Sequence, residues 1–299
     1  MAATAGLRAA LERQTVLALE RGALLPIETA LTHIEDGGVR FGVRVAANLV
    51  RKDAALRTLD AQPPRDPFLP YEAGLFVADL SPTHVALLNK FNVIDRHLLI
   101  VTRRFEPQEA LLDVADFAAL AVALREIDGL GFYNGGTVAG ASQPHKHLQM
   151  VPLPLDERGP PVPMEALLDR VPAAEGKRAV VVVPGLNFRH AFARLDLLAD
   201  SADEAARAAH ACYRALLDAA GVKAIDVEGV AHQGAPYNLL VTRRWMWLVP
   251  RSRERIDGIS VNTLGFAGSF FVRDTTQLHT LAQIGPMKAL EHVSFTPGT

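Results

Sequence analysis

Two histidines and a glutamine alternate in the segment QPHKHLQMVP at 143–152. On a β-strand, side chains two apart share one face, so His145, His147 and Gln149 are expected to form one row. A neutral imidazole is a good nucleophile near pH 7 when an acceptor, commonly a backbone carbonyl, fixes its tautomer. A glutamine amide can donate to charge that develops on a phosphate oxygen. This row suits nucleotidyl transfer through a covalent histidine intermediate.

A glycine-rich stretch, GFYNGGTVAGAS at 131–142, comes directly before the row. Glycine has no Cβ, so the backbone N–H groups of such a loop can approach an anion closely. Three plainer interpretations stay open on the residues alone. The His-x-His pair also fits a metal site, although the motif has no third ligand nearby. The histidines can be ordinary buried polar residues, and the glycines an ordinary loop.

The composition is typical of an ordered globular protein. The chain has 299 residues, 49% of them hydrophobic, which is enough for one large domain or two medium ones. The formal net charge of −2 provides no global field to attract nucleic acid, so we expect no nucleic-acid partner. The single cysteine, Cys212, excludes a disulfide within the chain and a zinc site that needs several thiolates.

The N-terminal segment predicts an amphipathic helix rather than a signal peptide, because charged residues interrupt its apolar positions. No apolar run approaches the roughly 20 residues of a membrane span. We therefore expect a cytoplasmic protein with no membrane partner.

The elements that position the row follow from apolar periodicity. Helices are predicted at 5–22, 107–127 and 201–219. Strands are predicted at 38–45, 75–80, 84–94, 97–103, 181–195 and 237–249. The stretch 154–178, rich in proline and charge, predicts a connection between two halves with one short helix in it.

The second half repeats the plan of the first. HLQMVP in the first half is similar to WMWLVP in the second, and each follows the long helix of its half. A competing similarity, LLIVTRR with LLVTRR, is disfavoured because LLIVTRR precedes its helix. In the favoured register Trp245 takes the position of His147, and Trp247 that of Gln149. Only the first half then keeps polar chemistry, and the tryptophans are expected to serve packing.

The segment YNGGTVAGASQPHKHLQMVPLP resembles the active-site segment of the diadenosine tetraphosphate phosphorylases, also called ATP adenylyltransferases. These belong to the histidine-triad and galactose-1-phosphate uridylyltransferase superfamily. Further similar blocks are DPFLPYEAGLFV at 66–77, HVALLNKFNVIDRHLLIVTRRFEPQ at 84–108, APYNLLVTRRWMWLVPRSRE at 235–254 and SVNTLGFAGSFFVRD at 260–274. The resemblance implies an α+β fold of two histidine-triad-like units, pseudo-duplicated, with antiparallel sheets and flanking helices. The catalytic unit is expected at 1–160, and an ATP adenylyltransferase-type unit at 161–299.

The same resemblance implies phosphorolysis of diadenosine tetraphosphate to ATP and ADP. His147 would attack the α-phosphate and become adenylylated, and inorganic phosphate would then take the AMP group. Gln149 would contact that phosphate, and His145 would orient and polarise the site. The substrate-binding candidates are Lys52, Asn89, Lys90, Asn134, Gly135, Gly140, Ala141 and Ser142.

Mg²⁺ is expected to accompany the polyphosphate rather than to occupy a fixed protein site, and no zinc is expected. Within the superfamily, Gln149 in place of a third triad histidine goes with transfer to phosphate rather than to water. Rival functions are a hexose-1-phosphate uridylyltransferase, a sulfate-using adenylyltransferase and a non-catalytic sensor of dinucleoside polyphosphates. His147 argues against the sensor, because binding alone requires no nucleophile. The sequence leaves the oligomeric state undetermined.

Overall fold

A computed structural model describes residues 6–46, 66–171, 179–198 and 201–297. Its helices are α1 (Leu7–Glu20), α2 (Val114–Glu126), α3 (Glu165–Leu168), α4 (Ala202–Ala219), α5 (Thr263–Ala267), α6 (Thr275–Ile284) and α7 (Pro286–Val293). Its strands are β1 (Thr29–Asp36), β2 (Val39–Ala46), β3 (Phe76–Asp79), β4 (His84–Leu88), β5 (Leu98–Thr102), β6 (Gly129–Gly135), β7 (His147–Pro152), β8 (Ala191–Arg194), β9 (Ala224–Val227), β10 (Val230–Gln233), β11 (Tyr237–Val241), β12 (Trp245–Pro250), β13 (Arg255–Ile256), β14 (Ile259–Ser260) and β15 (Ser269–Val272). In these ranges no helix combines the length and apolar character needed to cross a membrane.

A central sheet of eight antiparallel strands runs through both halves of the chain, in the order β3-β4-β5-β7-β6-β11-β12-β8. A smaller sheet, β1-β2-β15, joins an N-terminal hairpin to a C-terminal strand, and β9-β10 and β13-β14 form two short ribbons. Helices flank these sheets. The expected α+β fold with antiparallel sheets and flanking helices is confirmed, except that β15 pairs with β2 in parallel.

The two halves of the central sheet are arranged alike. In each half a hairpin comes after the long helix, β6–β7 after α2 and β11–β12 after α4, and the inner strands β6 and β11 pair with each other. Gln149 lies opposite Phe132, and Phe132 lies opposite Leu240. Leu240 lies opposite Trp247. Gln149 and Trp247 therefore hold corresponding positions on either side of the central pair, as the favoured register predicts.

The faces of the central sheet bury different cores. One face packs against α1, α2 and α4, and Leu148 and Met150 of β7 belong to that core. In the second half the opposite face carries Trp245 and Trp247, which are fully buried with residues of the small sheet such as Phe41. In the first half that opposite face has a smaller apolar cluster of Phe68, Val85, Leu87, Leu99 and Val101. The histidine strand lies between these regions.

Helix α2 begins at Val114, seven residues later than the periodicity of 107–127 predicts. Asp113 stops it from starting earlier, because its side chain accepts from the N–H groups of Ala115 and Asp116 in a capping box. Residues 107–113 instead run beside the site, where Pro107 bridges to His145 and Ala110 to His232. The early part of the predicted helix is thus wrong.

Two predicted strands are also shorter than expected. The strand predicted at 84–94 ends at Leu88, and a turn follows it. Of the segment 181–195, Ala191–Arg194 forms a strand, while Val181 makes an isolated bridge to Phe192. Pro184, which has no N–H to give a ladder, separates these two pieces. The connection at 154–178 contains α3, as predicted.

Candidate active site

His147 is the first residue of β7 and is only 4% exposed. Its Nδ1 lies 2.8 Å from the carbonyl oxygen of His145. A carbonyl oxygen can only accept, so Nδ1 carries the proton and Nε2 keeps its lone pair. Burial lowers the pKa of His147 to about 4, against the opposing effect of that hydrogen bond. The ring is therefore a neutral imidazole near pH 7, with the tautomer that leaves Nε2 nucleophilic.

His145 precedes β7 rather than lying within it, so the row predicted on one strand begins at His147. Its ring is fully buried. Its Nδ1 lies 2.8 Å from a carboxylate oxygen of Asp66, and its Nε2 lies 2.9 Å from the carbonyl oxygen of Thr102. Phe68 packs against the rings of both histidines. The backbone carbonyl of His145 thus orients the ring of His147, while the ring of His145 anchors that backbone.

Gln149 shares a face with His147 and is held by a histidine that sequence reasoning missed. Oε1 of Gln149 lies 2.9 Å from Nε2 of His97, and Nδ1 of His97 lies 3.1 Å from the amide nitrogen of Asn89. The Asn89 amide donates to Nδ1, so Nε2 of His97 carries the proton and donates to Gln149. Burial lowers the pKa of His97 to about 4. This neutral relay leaves the NH₂ group of Gln149 able to donate to a ligand beside His147.

The glycine-rich loop lies directly before the histidines, and a hydrogen bond within its own backbone closes it into a turn. Gly136 and Gly140 have φ values of +85° and +96°, in the left-handed region that favours glycine. A Cβ on Gly140 would come within 2.8 Å of the Cβ of Asn262, so the loop packs closely on the second half. The N–H of Ala141 donates to the carbonyl of Gly136 at 3.1 Å, and Ser142 is exposed.

The base of this loop is tied to the second half by a buried polar network. Oδ1 of Asn134 accepts from Oγ1 of Thr263 at 2.7 Å and from the amide of Asn238 at 3.1 Å. The Asn238 amide also donates to the carbonyl of Ala139, at 2.8 Å. Gly135 follows in β6, where Gln233 fills the space that a Cβ would need. The second half therefore supports the loop, and the roles of Asn134 and Gly135 in substrate binding stay predictions.

The lysines near the site have different environments and different partners. Lys146 is buried on the opposite face, with Nζ 2.9 Å from both Glu106 and Asp116. Although burial opposes it, the charges of Asp116 and Glu106 raise the pKa of Lys146. Lys90 pairs with Glu72 at the surface, with 2.7 Å between Nζ and the carboxylate. Lys52 lies outside the described residues, so the predicted roles of Lys52 and Lys90 stay predictions.

Asp66 and His97 were missed because their contacts are distant in sequence. Asp66 reaches a histidine 79 positions later, and His97 reaches a glutamine 52 positions later. The sequence signal that could have identified His97 is its position just before the apolar strand β5, which pairs directly with β7. No group of three or more His, Cys, Asp or Glu side chains that could hold a metal occurs among the described residues. Cys212 is buried in α4.

Two family models match the chain. The model of the Ap4A phosphorylase N-terminal domain matches residues 2–170, and that of the ATP adenylyltransferase C-terminal domain matches residues 184–296. The division at 160/161 stays a prediction.

Two curated yeast proteins and a solved structure are similar to the chain. Diadenosine 5',5'''-P1,P4-tetraphosphate phosphorylase 2 of Saccharomyces cerevisiae is 28% identical over 273 residues, covering 82% of this chain and 79% of the yeast protein. Protein APA1 of the same yeast is 27% identical over 206 residues, covering 63% of this chain and 61% of that protein. The crystal structure of yeast Ap4A phosphorylase Apa2 superposes with a TM-score of 0.76 at 25% identity, covering 98% of this chain and 96% of that chain.

Proposed function

Since the chain belongs to the Ap4A phosphorylase family, we propose that it cleaves diadenosine tetraphosphate with inorganic phosphate through an adenylyl group carried on His147. The protein is a nucleotidyltransferase of the ATP adenylyltransferase type. In the forward direction the products are ATP and ADP. The reverse reaction joins them again and releases phosphate.

The proposed reaction has two displacements at the same phosphorus atom. Nε2 of His147 attacks the α-phosphate, the bond between that phosphorus and its bridging oxygen breaks, and ATP leaves. An oxygen of inorganic phosphate then attacks the adenylyl phosphorus, the P–N bond breaks, and ADP leaves with Nε2 free again. Splitting one difficult transfer into two easier steps is the general advantage of a covalent nucleophile.

The hydrogen bond from Nδ1 of His147 to the carbonyl of His145 is the observation that carries this proposal. It fixes the reactive tautomer before substrate arrives, and burial keeps that ring neutral with a pKa of about 4. Among the described residues, no group hydrogen-bonds Nε2 of His147.

Gln149 is proposed to stabilise the transition state. Its Oε1 accepts from His97, so its NH₂ group can donate to a non-bridging oxygen of the α-phosphate.

The rest of the polyphosphate's negative charge is proposed to be neutralised by Mg²⁺ that arrives with the nucleotide and by the backbone N–H groups of the glycine-rich loop. Reduction of the rate by excess chelator, with recovery on added Mg²⁺, tests the metal part separately. We also propose that the enzyme acts in the cytoplasm.

The test is a product analysis. Purified protein is incubated with diadenosine tetraphosphate and Mg²⁺, with and without inorganic phosphate, and the nucleotides are separated by anion exchange. ATP plus ADP formed only with phosphate is the expected result. ATP plus AMP without a need for phosphate would mean a hydrolase and would overturn the proposal. No product would point instead to a uridylyl-transferring enzyme, with UDP-sugars as the next substrates, or to a nucleotide sensor.

A further inference from the structure

The ladder between β6 and β7 stops before it reaches the nucleophile. Its last pair joins Phe132 to Gln149, and the same register would bring Asn134 opposite His147. The side chain of Gln108, from the segment that precedes α2, lies between these two backbones instead. The strands have therefore separated at the point where the proposed chemistry occurs.

The primary amide of Gln108 replaces the missing backbone bonds. Its Oε1 accepts from the N–H of His147 at 2.9 Å, and its Nε2 donates to the carbonyl of Asn134 at 2.9 Å and to that of His147 at 3.3 Å. A side-chain amide has the same donor and acceptor as a peptide group, so the strands part without leaving these buried groups unpaired.

Gln108 is itself held firmly in place. It is fully buried, its N–H donates to the carbonyl of Pro144 at 2.8 Å, and its carbonyl accepts from the hydroxyl of Tyr133. The residue is thus bonded at both its backbone and its side chain to the segments on either side of the site. Its contacts reach β6, β7 and Pro144, which lies between the glycine-rich stretch and β7.

We propose that Gln108 is a positioning residue that holds the backbone of His147 while keeping β6 and β7 apart at the adenylyl-transfer site. This inference rests on the function proposed for His147. The glycine-rich loop leaves β6 just after Asn134, so the Gln108 bridge sets the separation between that loop and Nε2 of His147. The α-phosphate must fit in this separation. A displacement of the nucleophile by about 1 Å can cost on the order of 10²-fold in rate.

The first experiment compares Gln108→Leu and Gln108→Glu with the wild type in single turnovers of diadenosine tetraphosphate without phosphate. We expect Gln108→Leu to form adenylyl-enzyme about 10²-fold more slowly, with the dissociation constant of the substrate nearly unchanged. Tyr213→Phe is the matched control, because it removes the buried hydrogen bonds of the Tyr213 hydroxyl, to the Tyr237 hydroxyl at 2.6 Å and from the N–H of Leu112 at 3.4 Å, without touching the histidine strand. The control is expected to keep the wild-type rate.

The glutamate variant provides a signature that a general loss of stability does not. A carboxylate at position 108 faces the carbonyl oxygens of Asn134 and His147, whereas its protonated form can donate to one of them. The rate of Gln108→Glu relative to wild type should therefore fall as the pH rises. A ratio that does not change with pH, or a wild-type rate in Gln108→Leu, would overturn the proposal.

Hydrogen exchange of the resting enzymes tests the bridge without any substrate. In Gln108→Leu the amide of His147 should exchange at least about tenfold faster than in wild type, because its acceptor is gone, while that of Met150 inside the paired part of β7 stays protected. Equal acceleration at both amides would mean a purely structural role and would also overturn the proposal. If wild type forms no adenylyl-enzyme, the proposed function fails, and the exchange data still decide whether the bridge exists.

Discussion

The two hairpins that flank the centre of the main sheet share a frame and differ in what they place on it. β7 carries His147 and Gln149 at the positions where β12 carries Trp245 and Trp247. In the second half the indoles fill the space, and Trp247 packs against Phe188. In the first half the same positions carry the polar side chains of His147 and Gln149, to which we assign the proposed chemistry. The two hairpins thus keep one backbone arrangement, while β12 uses these positions for packing and β7 uses them for the proposed active site.

Because of this difference, substitutions in the two hairpins are expected to affect different properties of the protein. Changes on β7 should alter rates more than stability, whereas the corresponding changes on β12 should do the reverse.

The largest effect is expected for His147→Ala. Without Nε2 no adenylyl group can be carried, so turnover should fall by on the order of 10⁴-fold or more, with substrate binding weakened far less. The partner variant on the other hairpin, Trp245→Phe, should keep the wild-type kcat. Initial rates of ATP formation and a binding titration measure both. Near wild-type turnover in His147→Ala would show that His147 is not the nucleophile.

The next effect is expected for Gln149→Ala, which removes a donor to the transferring phosphate. We expect kcat to fall by about 10²-fold, as for other lost oxyanion donors. Its counterpart Trp247→Phe should leave kcat unchanged. An unchanged maximal rate in Gln149→Ala, measured in the same steady-state assay, would exclude Gln149 from the chemical step.

The rate of adenylyl-enzyme formation should decline only at an unusually acidic pH. A histidine with a lowered pKa releases its proton at lower pH, so His147 stays neutral until the pH approaches about 4. The rate of adenylyl-enzyme formation should therefore hold between pH 8 and 5 and decline as the pH falls through about 4. Rapid-quench measurements after a pH jump limit the time for acid unfolding. A decline centred near 6.5 would show that burial does not govern this ring.

The smallest effect concerns the stability of the second half. Nε1 of Trp245 donates to the buried carboxylate of Glu165 at 2.8 Å, whereas Nε1 of Trp247 has no partner among the described residues. Trp245→Phe should therefore lower the free energy of unfolding by about 1–3 kcal/mol more than Trp247→Phe. Urea denaturation of both variants measures this difference. Equal losses would show that packing alone matters at these positions.

Much of the frame follows from local sequence. The helix around Cys212, the histidine strand and the β12 strand all have periodicities that a local pattern can identify. The duplication was also recoverable, because the order of elements decides between the two registers. The start of α2 could not be predicted from local sequence. The apolar stripe continues on both sides of Asp113, whereas the helix begins after the capping box at Asp113.

The supports of the site are the part that local sequence could not give. Asp66, His97 and Gln108 contact the histidine segment from three separate parts of the chain, and only the tertiary structure brings them together. Each is an ordinary polar residue in its own segment. The proposed nucleophile, His147, and the carbonyl of His145 that fixes its tautomer both lie in the motif. The groups that hold Gln149 and the backbone of His147 require the tertiary structure.

The most direct test of the central claim is to locate the covalent intermediate. The enzyme is mixed with diadenosine tetraphosphate without phosphate, quenched under conditions that preserve a P–N bond, digested and analysed by mass spectrometry. We expect a single adenylyl group on His147, and its discharge as ADP when phosphate is added before the quench. An adenylyl group on a residue of the second half, or rapid turnover with no labelled histidine, would show that His147 does not carry the transferred group.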